Sequence, residues 1–199
     1  RILDLMMGAL GELRIGDPAR LATDVGPVID EAAREALAQH AERMGREGRL
    51  LYKAALPPET DHGSFFPPQV FEIDRLDRLH REVFGPILHV IRYPADAIDQ
   101  VIGAINATGY GLTLGMHSRI DESVEHLRRR ARAGNLYVNR NMIGAAVGVQ
   151  PFGGEGLSGT GPKAGGPHYL HRFAVERAFT VNTMAVGGNA SLLAERDGE

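Results

Sequence analysis

Cysteine is absent from all 199 residues. That excludes a disulfide framework, a thiolate metal site and a cysteine nucleophile within this chain. Long apolar runs are missing too. No stretch approaches the roughly 18–20 residues that span a bilayer, and no signal peptide is visible. Membrane insertion is therefore not expected, and the cytoplasm is the expected compartment. Excess positive charge is also lacking. Lys and Arg number 22 against 25 Asp and Glu, a formal net charge of −3. A nucleic-acid surface needs the opposite balance. The one basic run, HLRRRARAGN at 126–135, falls at the end of an expected helix, where its charges complement the helix dipole. Asn106-Ala-Thr108 and Asn189-Ala-Ser191 match the glycosylation pattern, and with nothing pointing to secretion both read as chance.

The apolar fraction of 43% is enough for a core, and 24% charged is ordinary. The chain opens at Arg1, and RILDLMMGALGEL is already helix-periodic, with Ile2, Met6, Ala9 and Leu13 on one face. No capping residue precedes it, so a segment of a longer protein is expected. Gly16-Asp-Pro18 is a stop signal. Asp30 can cap a second helix ending at Gly48, and RLLYKA (49–54) reads as a strand. FFPPQVFEI (65–73) is extended but carries Pro67 and Pro68, which suits an edge. ILHVIRY (87–93) reads as a buried strand and 96–108 as an amphipathic helix. LTLGMHS (112–118) is a strand, Asp121 can cap a helix to about Arg132, and NLYVNR (135–140) is another strand. The last element, 174–186, is rich in Val, Phe and Thr and reads as a strand. Strands alternating with helices predict an α/β fold with a largely parallel sheet.

From Gln150 to Tyr169, seven of twenty residues are glycine, at 153, 154, 156, 159, 161, 165 and 166. Such density means tight turns or close backbone approach. GTGPKA (159–164) matches the dinucleotide fingerprint formally, but that motif needs a strand directly before it and a helix directly after. Here a long loop precedes it and Gly165-Gly166-Pro167 follows. A P-loop is excluded because Lys163 is followed by Ala164. Two readings remain. The N–H groups of Gly165 and Gly166 can form a nest for a carboxylate or phosphate, or the stretch is an ordinary surface loop. In REVFGPI (81–87), the Glu82 carboxylate can accept hydrogen bonds from a sugar diol, and Phe84 can pack on a flat ring. A solvated Glu beside a core Phe is the simpler reading of those residues. His168 and His171 are three apart, with no third metal ligand evident. Ser158 lacks nucleophile-elbow context. Asn139 and Asn141 flank Arg140 at a strand end, where functional residues often lie.

Taken together, EVFGPILHV, GYGLTLGMHS, GNLYVNRN, QPFGGEGLSGTG and KAGGPHYL resemble the C-terminal half of the aldehyde dehydrogenase superfamily, from about residue 1 to 190. GELRIGDPA…DVGPVID is similar to the segment after that family's nucleophilic cysteine. The stretch from NRNMIGAAVG to TVNTMAVGGNASLL resembles the glutamate-semialdehyde (Δ1-pyrroline-5-carboxylate) dehydrogenase branch, and within it the dehydrogenase module of the bifunctional proline utilization A flavoenzymes. The resemblance implies an aldehyde dehydrogenase-like catalytic domain over 1–173, with the nucleophile upstream. It also implies an oligomerisation arm over 174–190 and a tail over 191–199.

The resemblance further implies NAD as cofactor, with Glu82 on the nicotinamide ribose and Phe84 near the nicotinamide. It implies that Gly165 and Gly166 hold the carboxylate of an amino-acid aldehyde through backbone N–H groups. Phe173 would pack on the aliphatic part of that substrate, and Phe152 would stand beside the active site. In the family, a cysteine thiolate forms a thiohemiacetal, hydride passes to NAD⁺, and the thioester is hydrolysed. With no cysteine here, no catalytic residue is expected in this segment, and alone it should be inactive. An upstream Rossmann domain in the same chain and a homo-oligomer through the C-terminal arm are implied. FAD is implied only if a proline dehydrogenase domain lies upstream. The rivals are an aldehyde dehydrogenase for another substrate and a non-catalytic interaction module.

Overall fold

In the computed structural model, residues 1–182 and 185 are described. Helix α1 (Ile2–Gly11) ends earlier than Gly16, and its half-buried face is Leu3, Met6, Met7 and Leu10, while Ile2 is exposed. The buried stripe is thus rotated from the expected one, onto the other apolar residues of a helix rich in them.

Helix α2 (Glu31–Glu47) forms where the sequence predicts it. The Asp30 carboxylate accepts a hydrogen bond from the Ala33 N–H at 2.7 Å, and such a cap is worth about 1 kcal/mol. Leu37, His40 and Met44 recur at helical spacing and are its buried stripe. They face a three-stranded sheet in the order β1 (Arg49–Lys53), β2 (Gln69–Glu72), β3 (Ile87–Val90). Strand β1 pairs antiparallel with β2, and β2 pairs parallel with β3. Met44, Phe71 and Ile73 form the core here, packed by Ala41, Leu79, Ile87 and Ile91. Each such side chain contributes about 1.5–3 kcal/mol through burial.

Strand β2 is central and not at an edge, which corrects the expectation drawn from its prolines. Pro67 and Pro68 precede the ladder, and the Pro68 carbonyl accepts from the Ala54 N–H at 2.9 Å. The donors the prolines lack are therefore not needed inside the strand. Gln69, Val70 and Phe71 are buried in succession, so both faces of β2 are covered. Strand β3 has the outer position in this sheet and leaves Leu88 half exposed.

Helix α3 (Ile98–Ala107) buries Ile102. Strand β5 (Thr113–Met116), helix α4 (Asp121–Arg130) and strand β6 (Asn135–Val138) make a βαβ unit, with β5 and β6 parallel. Asp121 opens α4 but is not its cap. Ile120 holds the cap position, and the Ser118 hydroxyl accepts from the Ile120 N–H. The basic end of α4 is neutralised locally: Arg128 and Arg129 pair with Glu125, and Arg130 with Asp99. Two short strands, β4 (Tyr110–Gly111) and β7 (Glu155–Gly156), pair antiparallel. The fold is α/β with mixed pairing, and its parallel pairs are β2–β3 and β5–β6.

The strand expected over 174–186 is not formed across residues 174–182, which have no regular secondary structure and are exposed, with Val175 92% and Phe179 82% accessible. A strand built to pair with another chain has no partner in a single one. Positions 183, 184 and 186–199, which include the rest of the arm, Asn189 and the tail, lie outside the described residues.

Candidate functional site

The glycine-rich stretch is held to the start of β6 by two side chains. Asn135 is 9% exposed. Its Nδ2 donates to the Pro151 carbonyl at 2.9 Å, and its Oδ1 accepts from the Gly153 N–H at 3.2 Å. Lys163 reaches the same place from the far arm of the loop. Its Nζ donates to the Gly153 carbonyl at 2.7 Å, to Asn135 Oδ1 at 3.1 Å and to the Gly134 carbonyl. Bonds from an ammonium are stronger than neutral ones, about 1.5–3 kcal/mol each. The close approach demands glycine at 134, because a Cβ there would overlap the Gly153 carbonyl.

The two arms also pair through backbone. The Phe152 N–H donates to the Ala164 carbonyl at 3.1 Å, and the Ala164 N–H to the Phe152 carbonyl at 2.9 Å. The chain then reverses. The Gly166 N–H donates to the Lys163 carbonyl at 3.0 Å, and Gly165 has φ +72°. A positive φ at the third residue of such a turn marks type II, where glycine is favoured. A Cβ at Gly165 would meet nothing within 4 Å, so glycine is required there for its backbone and not for space. At Gly166 a Cβ would lie 3.0 Å from the Lys163 carbonyl and 3.4 Å from Pro151 Cβ. The Gly165 N–H makes no hydrogen bond among the described residues. A 3₁₀ turn (Leu170–Phe173) follows, and the Phe173 ring stands edge-on to Tyr169 at 5.5 Å and is 71% exposed. Phe152, Gly165, Gly166 and Phe173 thus belong to one connected segment. A cleft of about 600 Å³ beside it is lined by Asn135, Tyr137, Arg140, Gln150, Pro151 and Lys163.

Glu82 and Phe84 sit in the loop before β3, a strand of a separate sheet. Both are exposed, Phe84 at 89%, which corrects the reading of Phe84 as a core residue. Glu82 makes no ion pair among the described residues. Their turn is seated on α2: a Cβ at Gly85 would lie 2.5 Å from Leu37 Cδ2, and Leu37 is 1% exposed. One helical turn further, His40 Nε2 meets His89 Nε2 at 3.0 Å. Burial pushes the His89 imidazole down to about 4, helped by the charges of His40 and Arg43. Burial lowers His40 as well, followed by Arg43 and Arg81, with Glu47 opposing. The pair is therefore neutral near pH 7, with one ring donating to the other. No hydrogen bond, ion pair or ring contact joins Glu82 or Phe84 to the glycine segment. A larger cavity, about 700 Å³ between α2 and β1, holds none of the expected site residues.

The residues outside those expectations are Asn135, Lys163, Leu37 and the two histidines. Lys163 stands out in sequence only as a failed P-loop lysine. Asn139 proves structural: at φ 54° it bonds both the N–H and the carbonyl of Ser118. His168 and His171 stack edge-on at 5.8 Å, and the described residues contain no cluster of three metal-ligating side chains. No helix among them is long and apolar enough to cross a membrane.

The chain matches the Aldehyde dehydrogenase family over residues 1–178. It is 54% identical over 180 residues to the bifunctional protein PutA of Klebsiella aerogenes, covering 88% of this chain and 14% of that one. It is 39% identical over 172 residues to 1-pyrroline-5-carboxylate dehydrogenase of Geobacillus thermodenitrificans, covering 85% and 33%. The crystal structure of a bifunctional proline utilization A (PutA) protein superposes with TM-score 0.85 at 56% identity, over 94% of this chain and 19% of that one. A 1-pyrroline-5-carboxylate dehydrogenase from Thermus with bound NAD does so with TM-score 0.78 at 38% identity, over 86% and 33%. The chain therefore spans only a minor part of each of these relatives. Sequence and backbone agree, and the chain belongs to the aldehyde dehydrogenase family.

Proposed function

We propose that this chain is the substrate-anchoring part of an NAD-dependent L-glutamate γ-semialdehyde dehydrogenase, which oxidises the semialdehyde to glutamate in the second step of proline breakdown. The observation that carries the proposal is the Lys163–Gly166 turn. It is tied to β6, is flanked by Phe152 and Phe173, and leaves the Gly165 N–H without a partner among the described residues. A backbone donor in a fixed turn is suited to a carboxylate. The carboxylate would take the Gly165 N–H directly and share the Gly166 N–H with the Lys163 carbonyl. Phe173, exposed beside the turn, would cover the methylene chain.

Glu82 and Phe84 fit one flank of a nicotinamide nucleotide. An exposed carboxylate without an ion pair suits a ribose diol, and an exposed ring on a firmly seated turn suits a flat heterocycle. When bound, NAD⁺ supplies the hydride acceptor. This chain's own residues orient the two molecules, which lowers the entropic part of the barrier. Since residues 1–199 contain no cysteine, the nucleophile and a Rossmann domain belong to a part of the protein outside them. In this reading residues 1–173 belong to the catalytic domain. Residues 174–190 form an arm that adds to a neighbouring subunit by strand pairing, and residues 191–199 are a tail. The compartment is the cytoplasm. FAD enters only with a proline dehydrogenase domain on the same protein.

Gly166→Val in the full-length protein tests the anchor. The branched side chain crowds the Lys163 carbonyl and Pro151. We expect KM for the semialdehyde to rise about tenfold or more, equivalent to at least about 1.4 kcal/mol, with NAD⁺ binding nearly unchanged. Equal losses in both would sink the assignment.

A further inference from the structure

The Lys163 ammonium has three N–H donors, and all three are spent inside the protein, on Gly134, Asn135 and Gly153. It therefore has none left to offer a substrate, although it lies in the loop that forms the candidate carboxylate site. Its backbone does something different. The Lys163 carbonyl is the acceptor that closes the Gly165–Gly166 turn, and the next residue, Ala164, pairs both ways with Phe152. One residue thus clamps the loop to β6 with its side chain and sets the turn with its main chain. Between them lie no rotatable bonds except those of Lys163 itself.

We propose that Lys163 is a positioning residue for the carboxylate anchor: its ammonium fixes the distance between the start of β6 and the Gly165–Gly166 turn. Asn135 is its partner, because the same Oδ1 accepts from Lys163 and from the Gly153 N–H. This holds the Phe152 arm and the Gly166 arm to one reference point. Loosening it leaves the turn chemically intact but misplaced relative to Phe152. A substrate bound through a carboxylate would feel that displacement. An aldehyde with no carboxylate would not.

The inference rests on the semialdehyde reading, and the experiment separates the two. In the full-length enzyme, kcat and KM are measured for glutamate γ-semialdehyde, propanal and NAD⁺ in wild type, Lys163→Met, Lys163→Gln and Gly166→Val. Lys163→Met keeps the stem and removes the donors. We expect its semialdehyde KM to rise about tenfold or more, equivalent to about 1.4 kcal/mol lost from the misplaced carboxylate contact. The propanal kcat/KM and the NAD⁺ KM should stay within about threefold, since neither ligand uses the turn. Lys163→Gln, which retains a donor on a shorter stem, should fall between. A purely structural lysine would lower semialdehyde and propanal turnover in proportion, and that result, or no change in either, overturns the proposal. If Gly166→Val raises the semialdehyde KM while Lys163→Met does not, the clamp is wrong and the anchor stands. If neither variant moves it, both are wrong. Should Lys163→Met not fold, Lys163→Gln and Asn135→Ala carry the same comparison, judged by the same split between the two aldehydes.

Discussion

Gly85 and Gly165 are both glycines with positive φ at turns, but space adds a second limit at only one of them. At Gly85 both limits apply: φ is +156°, and a methyl group would press into the fully buried Leu37. At Gly165 the limit is backbone sign, since the space is open and φ is +72°. The substitution Gly85→Ala is expected to cost at least about 1–3 kcal/mol, since overpacking is added to the strain of a side chain at positive φ. It should also raise KM for NAD⁺ more than for the aldehyde, because the same turn presents Glu82 and Phe84. Steady-state kinetics with both substrates varied checks this; a larger effect on the aldehyde would count against Glu82 and Phe84 as the cofactor flank. The proposed roles of Glu82 and Phe84 come from the family resemblance, since the residues alone read more simply as a solvated Glu beside a core Phe. Lys163 was not legible as a clamp. Two of its three acceptors are main-chain carbonyls, which leave no trace in a sequence.

Helix α2 is the element that joins local code to site geometry. Its start was readable from Asp30 and its stripe from periodicity, whereas its partners were not. His40 and His89 are 49 positions apart and meet only through the fold. Both imidazoles are held below their ordinary value, so the unfolded chain takes up protons first as the pH falls. Stability from this contact is whole above about pH 6.5 and declines as the pH drops towards about 4, the value to which burial pushes His89. With partial solvent access, the loss is on the order of 1–2 kcal/mol. Arg43 and Arg81 steepen it, and Glu47 opposes it. Hydrogen exchange of the segments 36–44 and 86–92, corrected for the intrinsic pH dependence, should show protection falling between pH 6.5 and 4. His89→Phe should flatten that slope. An unchanged slope would mean that the pair does not titrate with opening.

Strand β2 teaches the complementary lesson. Pro67 and Pro68 suggested an edge, but they end where the ladder begins, and the strand lies between two neighbours. Three buried residues in a row carried the better signal. The helix and strand identities at α2, β1, α3, β5, α4 and β6 were otherwise readable from periodicity, because each carries an apolar stripe of the right period. The element at 174–186 was read from composition, and residues 174–182 form no strand.

On the scale of the whole molecule, the chain holds two proposed recognition surfaces and no cysteine. The glycine segment hangs from β6, the Glu82–Phe84 turn rests on α2, and no direct contact joins them among the described residues. That arrangement suits a scaffold that presents substrate and cofactor to chemistry located elsewhere in a longer protein. Under the proposed function it also places selectivity in this chain, because a neutral aldehyde would have no use for the Gly165–Gly166 turn. The most direct test is the ratio of kcat/KM for glutamate γ-semialdehyde to that for propanal, measured with the full-length enzyme. The account predicts a preference of about a hundredfold or more for the semialdehyde, the equivalent of roughly 2.7 kcal/mol from one anchored carboxylate. Equal values for the two aldehydes would contradict it.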